Sequence, residues 1–212
     1  MCCCFLLTKH PRMKKLILLL TLLCWLCSEQ NLCAQYPDAD SLEHLLRTHR
    51  RADRQKVDLL NATALEFYMV DNHKLQEYAG EAIKLAEKLR YEAGRAEGLR
   101  LKGLYYYNTS DNQRALELFQ QSFDLYERIG HEKGKSLSLN YLGLVNWKLG
   151  NIPEFRSHVE EAYALALQLG DNALTANSLK SLGIYHLIQG DYPSSIGYFE
   201  QSISLYGELG DM

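Results

Sequence analysis

Cysteine is the residue type in this sequence best suited to metal binding and redox chemistry, and its placement is uneven. The chain has 212 residues and six cysteines, all within the first 33 positions: Cys2, Cys3, Cys4, Cys24, Cys27 and Cys33. A disulfide-stabilised scaffold needs cysteines throughout its folded part, and a structural zinc site needs ligands close together in the fold. The placement argues against both kinds of site, and we predict no metal centre.

Histidines and acidic residues do not form a recognisable catalytic pattern. No two histidines have the i, i+4 spacing of a helical zinc site, and the chain lacks a phosphate-binding glycine loop and a Gly-x-Ser-x-Gly motif. Glu160 and Glu161 are neighbours on a predicted helix, so their side chains point apart. His186 could act as a general base, but a packed or surface position is the simpler interpretation. We predict a protein that is not an enzyme and needs no cofactor.

Cationic and amide residues follow a more regular pattern. Arg100, Asn140 and Lys180 are each 40 residues apart, and so are Asn108 and Lys148. The second series lies eight residues after the first, which places both on nearly the same face of a helix. Such donors could bind a carboxylate or an acidic side chain. A structural element that positions them must therefore recur every 40 residues.

The same period extends through the apolar residues. Leucine recurs at one register and glycine at another, in the series Leu85, Leu125, Leu165, Leu205 and Gly103, Gly143, Gly183. Within each unit the apolar residues follow helical spacing, and a pair such as Gly150-Asn151 could end one helix and cap the next. No strand pattern is present. We predict an all-α solenoid in which helix pairs stack and each pair buries its apolar face against its neighbour.

The recurring glycines fall inside the first helix of each predicted pair. Glycine in a helix interior costs about 1 kcal/mol relative to alanine. Its repetition at one register therefore predicts that the second helix of the pair approaches too closely for a side chain.

These units resemble tetratricopeptide repeats. The resemblance rests on a Leu-Gly pair in the first helix, an aromatic residue in the second and a small residue three positions later: Leu142-Gly143, Leu182-Gly183, Phe119, Phe199, Ser122 and Ser202. It covers four units, at about 55–93, 94–132, 133–172 and 173–212. The family's usual period is about 34 residues, and the longer variant resembles repeats of exported or membrane-bound bacterial sensors. The fold that the resemblance implies is a right-handed α-solenoid.

The resemblance also implies where a ligand would bind. In this family the first helices of successive units line a concave groove that holds extended or helical peptides. By register, the groove residues would be Arg100, Leu104, Tyr107, Asn108, Asn140, Leu144, Trp147, Lys148, Lys180, Ile184 and Leu187, with Leu60, Phe67 and Tyr68 from the first unit. An apolar and aromatic floor flanked by cationic and amide donors suits an acidic peptide. The alternative is an ordinary solvent-facing surface that needs no ligand.

The first 34 residues have the pattern of an export signal. Two lysines precede an apolar run from Leu16 to Cys27, and Ala34 offers a small residue for cleavage. The run of twelve residues is shorter than the roughly 20 that a membrane-spanning helix needs. We predict cleavage after Ala34, no stable membrane span after processing, and a location in the periplasm or cell envelope of a bacterium. Met13 could be the natural start, and an uncleaved anchor is the alternative.

Residues 35–54 precede the first unit and are predicted to form an N-terminal capping helix with Leu42, Leu45 and Leu46 on its apolar side. The segment also contains four arginines, which could form a patch for an anionic surface or nucleic acid, or a solvated helix face. The formal net charge of the chain is −3, whereas nucleic-acid binders usually have a strong basic excess. We therefore predict no nucleic-acid partner.

The last residues, Asp211-Met212, stand where the preceding units would begin another first helix. Because solenoids usually end in a polar capping element, we expect another unit, a partner or a second copy of the chain to cover the last apolar face. The function that the sequence favours is an exported, non-enzymatic scaffold that binds a protein or peptide. The alternative is the sensory N-terminal part of a signal-transduction protein, a histidine kinase or transcription regulator, whose output module is absent from this chain.

Overall fold

The computed structural model describes residues 39–210 of the chain. The predicted signal peptide, residues 1–34, and the last two residues lie outside the described residues. The chain divides into two compact units, Met1–Ser41 and Leu42–Met212. Only Ala39–Ser41 of the first unit is described, as helix, and the following description concerns the second unit.

Apolar residues at helical spacing between short turns give nine α-helices and no strand within residues 39–210. The helices are α1 (Ala39–Thr48), α2 (Arg54–Glu66), α3 (Asn72–Leu89), α4 (Glu92–Asn108), α5 (Asn112–Arg128), α6 (Glu132–Leu149), α7 (Ile152–Leu169), α8 (Asn172–Ile188) and α9 (Tyr192–Leu209). This confirms the predicted all-α fold. None of these helices is both long enough and apolar enough to cross a membrane.

The helices after α1 pack in four consecutive pairs, α2–α3, α4–α5, α6–α7 and α8–α9. Each pair also packs on the next, both through the second helix and through direct contact between first helices, as between α4 and α6. The buried residues lie in clusters between neighbouring helices and follow the stack. The arrangement is the predicted α-solenoid of helix pairs.

The turns follow the capping pattern of the sequence. Gly150 and Gly170 end α6 and α7 in left-handed conformations, with φ of 82° and 64°, where a side chain would be strained. The next residue, Asn151 or Asp171, is then the N-cap of the following helix. At the start of α8, for example, the side chain of Asp171 accepts a hydrogen bond from the backbone amide of Leu174 at 3.1 Å.

The two helices of a pair approach each other at the glycines inside the first helix. A Cβ atom added at Gly143 would lie 2.6 Å from Cγ2 of Val159, and one added at Gly103 would lie 2.6 Å from Cε1 of Phe119. Both distances are far below a normal van der Waals contact. The predicted close approach is confirmed, and the glycine register is a packing requirement.

Helix α1 lies on the first pair. Leu46 packs against the cluster that contains Val57, and Glu43 Oε1 accepts hydrogen bonds from Lys74 Nζ at 2.7 Å and Tyr78 Oη at 2.8 Å. The hydrogen bond from Lys74 is the main reason why the pKa of Glu43 lies below its ordinary value. The four arginines of the predicted capping segment are all exposed.

Candidate functional site

An aromatic and apolar cluster joins three successive first helices. Tyr107 of α4, Leu144 and Trp147 of α6 and Ile184 of α8 pack together in it. The Trp147 ring is stacked on Phe155 with 6.2 Å between centroids, so its orientation is set by a fully buried neighbour. Four residues of the predicted groove thus lie together in one cluster.

Asn108 and Lys148, which share a register, both reach back to the preceding helix pair. Asn108 Nδ2 donates to the carbonyl oxygen of Tyr68 at 3.1 Å and to Asn72 Oδ1 at 3.0 Å. Lys148 Nζ donates to the carbonyl oxygen of Tyr107 at 3.1 Å and lies 3.6 Å from the centroid of its ring. Lys148 thus adds a donor to a carbonyl group in the last turn of α4, and Asn108 donates to a carbonyl group in the turn after α2.

The three residues of the other 40-residue series, Arg100, Asn140 and Lys180, lie in three different environments. Arg100 is only 3% exposed and forms a bidentate ion pair with Glu97. Asn140 is also buried, and its Oδ1 has no hydrogen-bond partner. Lys180 is exposed, and no ion pair involves it within residues 39–210.

Burial and charge act in opposite directions on the ionisable groups. Burial alone would raise the pKa of Glu97, but the charge of Arg100 and hydrogen bonds from Arg100 and Tyr126 outweigh it and hold that pKa below its ordinary value. Lys148 and Lys180 have no such compensation. Although both side chains are exposed, enough protein surrounds them for burial to lower their pKa values.

The predicted groove residues divide into two groups by exposure. Four are buried and can only support the surface from beneath: Arg100, Leu104, Asn140 and Leu144. Seven reach the surface and are here called the first-helix face: Tyr107, Asn108, Trp147, Lys148, Lys180, Ile184 and Leu187. A binding role for any of them stays a prediction.

The first unit adds a shallow cavity to this surface. Its volume is about 270 Å³, and Tyr68, Asn108 and Lys148 lie in its wall. Burial raises the pKa of Tyr68 to about 12. Leu60 and Phe67, the other two residues predicted for the groove from the first unit, are buried.

Two polar and aromatic residues of the site were missed by register reasoning. Tyr141 stacks on Phe119 with 5.3 Å between centroids, and the guanidinium of Arg100 lies 5.5 Å from the Tyr141 centroid. Glu97 neutralises Arg100, and its position three residues earlier on the same helix is a signal that predicts an ion pair. No cluster of three histidine or acidic side chains in the described range could hold a metal ion.

Comparison with known proteins supports the family resemblance. Residues 135–208 match the family model of the tetratricopeptide repeat. No curated protein sequence matches the chain.

Solved structures share the fold at low sequence identity. BtubC from P. vanneervenii has a TM-score of 0.61 and 14% identity over 82% of this chain and 73% of its own. The Rap conjugation gene regulator of plasmid pLS20, in complex with a peptide, has a TM-score of 0.70 and 16% identity over 81% of this chain and 47% of its own. A signal transduction ATPase with a tetratricopeptide repeat sensor from Pyrococcus horikoshii has a TM-score of 0.62 and 18% identity over 79% of this chain and 27% of its own.

The stacked helix pairs, the buried glycine register and the match over residues 135–208 together define the class. The chain is an α-solenoid of helix pairs that contains tetratricopeptide repeats at residues 135–208. It spans about half of the Rap regulator and about a quarter of the signal transduction ATPase.

Proposed function

We propose that this protein is a non-catalytic scaffold whose first-helix face binds acidic peptide segments of partner proteins. The observation that carries the proposal is a pair of lysines, Lys148 and Lys180, on neighbouring first helices. Both stand without a carboxylate partner in the described part of the chain, and Lys148 lies directly against the aromatic cluster.

Incomplete solvation of both lysines favours an anionic ligand. Their pKa values are lowered by burial, because removal of an ammonium group from water disfavours its charged form. Other lysines of α6 have partners, since Lys133 pairs with Asp171 at 2.7 Å and Lys135 with Glu127 at 3.1 Å. A ligand carboxylate would supply the missing partner, and such a charge-assisted hydrogen bond contributes about 1.5–3 kcal/mol.

The aromatic cluster would supply contact area for the apolar part of the same peptide. Trp147 is held by its stacking on Phe155, so little side-chain entropy remains to be lost when a ligand packs on it. Large aromatic residues of this kind dominate many protein interfaces. The surface thus combines a cationic part for affinity and charge selectivity with a rigid apolar part.

The structural neighbours support a peptide ligand at the level of the fold. The Rap regulator of plasmid pLS20 was solved in complex with a peptide. A stack of helix pairs with this architecture can therefore hold one. The ligand's acidity and its contacts with Lys148 and Lys180 are our own proposal.

Replacing Lys148 and Lys180 together with alanine is expected to weaken the binding of acidic peptides about tenfold or more. The probe is a fluorescein-labelled octapeptide mixture with two fixed glutamates, measured by fluorescence anisotropy. A mixture with lysines in place of the glutamates should bind more weakly to the unaltered protein. The control variant removes Lys84 and Lys88, two exposed lysines of the second helix α3, and should bind normally. Equal binding by both double variants would reject the proposal.

A sensory role in signal transduction is the second candidate. It is favoured by the likeness to the signal transduction ATPase, which carries a tetratricopeptide repeat sensor. The first-helix face would then detect a signal for a separate output module. Sequencing the natural transcript beyond the codon for Met212 tests this, because an immediate stop codon would contradict an output module in the same chain.

We also propose export, on the strength of the amino-terminal sequence pattern alone. Protein recovered from the periplasm of a bacterial host is expected to begin at Gln35, since Ala34 is the predicted cleavage position. Amino-terminal sequencing of the fractionated protein measures this directly. Protein that stays in the cytosol with Met1 or Met13 at its start would contradict export.

A further inference from the structure

An ion pair joins the start of a first helix to the preceding second helix at two successive places in the stack. Arg95 of α4 lies 3.2 Å from Glu87 of α3, and Lys135 of α6 lies 3.1 Å from Glu127 of α5. The two pairs stand 40 residues apart in the sequence. Lys135 Nζ also lies 5.6 Å from the centroid of the Phe123 ring, so the lysine side chain lies over this part of α5.

The next interface of the stack has no such pair. Lys135 has three carboxylates around it, those of Glu127, Glu132 and Glu161, whose charges raise its pKa. All four charged residues are replaced 40 positions later by uncharged ones: Lys135 by Thr175, Glu127 by Leu167, Glu132 by Asn172 and Glu161 by Gln201. Loss of the lysine alone would leave three carboxylates unbalanced. Here the cation and all three anions are lost together, which leaves this interface uncharged.

The structure has a groove at this place. Its volume is about 400 Å³, and all four of the uncharged replacements line it. It lies between the second helices α7 and α9, which both pack on α8. Tyr163, Leu179 and Leu205 add apolar surface to its wall, and the side chain of Leu167 is 54% exposed. The volume falls within the range of small-molecule sites, about 300–1,000 Å³.

The charge of the groove restricts what it can bind. The side chains that line it within residues 39–210 are all uncharged. Asp171, which lies between the lining residues Gly170 and Asn172, is already paired with Lys133 at 2.7 Å. A charged group would be removed from water here without a partner, which is costly. An uncharged ligand avoids that cost, and the amide of Asn172 and the hydroxyl of Ser204 offer it hydrogen bonds.

The preceding interface shows what shape such a ligand has. There the unbranched side chain of Lys135 lies over the Phe123 ring, and the residue that corresponds to Phe123 in the groove is Tyr163. Thr175 is too short to cover that ring as a lysine does. The space beside Tyr163 therefore suits an unbranched alkyl chain.

We propose that the groove between α7 and α9 binds an uncharged small molecule that carries a short alkyl chain and an amide or hydroxyl group. The alkyl chain packs on Tyr163 and Leu167, and the polar group remains at the rim near Asn172 and Ser204. This site is separate from the first-helix face, because neither Lys148 nor Lys180 lines it.

The probes are N-propyl-, N-butyl-, N-pentyl- and N-hexylacetamide, titrated into the ¹⁵N-labelled full chain and followed by amide NMR. Saturable shifts are expected for the amides of Leu167 and Thr175. Each added CH₂ group should raise the affinity about three- to fourfold. Hexylammonium and hexanoate should bind about tenfold more weakly than N-hexylacetamide, because the groove offers neither charge a partner.

The double variant Leu167→Glu/Thr175→Lys tests the site by restoring the ion pair of the preceding interface. It should weaken the binding of N-hexylacetamide tenfold or more, since the new lysine side chain occupies the groove. Leu167→Glu alone, at an exposed position, should weaken it severalfold and provides a second test if the double variant does not fold by circular dichroism. The matched control is Leu65→Glu, at an exposed apolar position of α2, which should bind normally.

The variant Lys148→Ala/Lys180→Ala should also bind N-hexylacetamide normally, so this result is independent of acidic-peptide binding. Loss of binding in that variant would place the ligand on the first-helix face and overturn the proposal. Absence of saturable binding, an affinity that does not change with alkyl length, or full binding by Leu167→Glu/Thr175→Lys would overturn it as well. Tighter binding of hexylammonium or hexanoate would contradict the assignment to an uncharged ligand.

Discussion

Replacing Glu97 with alanine is expected to lower the free energy of unfolding by about 3–5 kcal/mol, because it leaves the buried charge of Arg100 without a partner. Arg100 is 3% exposed, and Glu97 accepts hydrogen bonds from both Arg100 and Tyr126. Urea unfolding followed by circular dichroism measures the loss. The matched control is Glu160→Ala, which breaks the exposed Arg156–Glu160 pair at 2.7 Å and should cost less than about 1 kcal/mol.

A double variant tests whether the unpaired charge is the cause. Glu97→Leu/Arg100→Met removes both charges and keeps side-chain volume, so it should recover a large part of the stability lost in Glu97→Ala. If the double variant were less stable than Glu97→Ala, packing around the pair, and not the charge of Arg100, would explain the loss.

The difference in unfolding free energy between the unaltered protein and Glu97→Ala should also change with pH, in a direction that follows from the pKa of Glu97. The pKa of Glu97 in the folded protein is below its ordinary value. A carboxylate of this kind adds stability above its unfolded-state pKa, about 4.3, and the contribution is lost as the pH falls through the folded-state pKa. The unaltered protein should therefore exceed Glu97→Ala in unfolding free energy by a constant amount near neutral pH, and this difference should become smaller below about pH 4.

Replacing Gly143 with leucine is expected to destabilise the protein by about 3 kcal/mol or more. Even a Cβ atom at this position would lie 2.6 Å from Val159 and 3.3 Å from the backbone oxygen of Phe155. The backbone of α7 cannot move away without disturbing its contacts with α8, so the cost exceeds that of ordinary overpacking, about 1–3 kcal/mol. Thermal and urea unfolding both report the change.

Gly80 provides the matched control, because it also lies inside a helix but has open space where a Cβ atom would point. Gly80→Leu should be neutral or stabilise the protein by up to about 1 kcal/mol through the better helix propensity of leucine. If Gly143→Leu and Gly80→Leu lost similar amounts of stability, close helix packing would not explain why glycine occupies position 143.

Much of the fold could be predicted from the sequence because local signals and the repeat agree. Gly150 ends α6 and Asn151 is the N-cap residue of α7, as predicted. The side chain of Asn151 makes no capping hydrogen bond to α7, however, and its Nδ2 donates instead to Asn146 Oδ1 at 3.0 Å. The glycine register also predicted which helices meet. These features depend on backbone conformation and on spacing along one or two helices, which the sequence carries directly.

The candidate site was predictable only in outline. The first-helix register correctly brings Tyr107, Trp147 and Ile184 into one cluster. It could not distinguish Arg100, which is neutralised by Glu97, from Lys180, which is exposed. The 40-residue register compares equivalent positions of successive units, whereas the pairing of Arg100 depends on Glu97, a residue outside that register and three positions earlier on the same helix.

The sequence by itself determined the helix pairs, the 40-residue period and the close crossing at Gly143, since each follows from residue type and spacing. Only the tertiary structure decided that Asn108 donates to the carbonyl oxygen of Tyr68 and Lys148 to that of Tyr107, and that Arg100 and Asn140 are buried. The physical reason is that burial and charge compensation are set by whatever packs alongside a residue. Those neighbours are defined only once the helices have stacked.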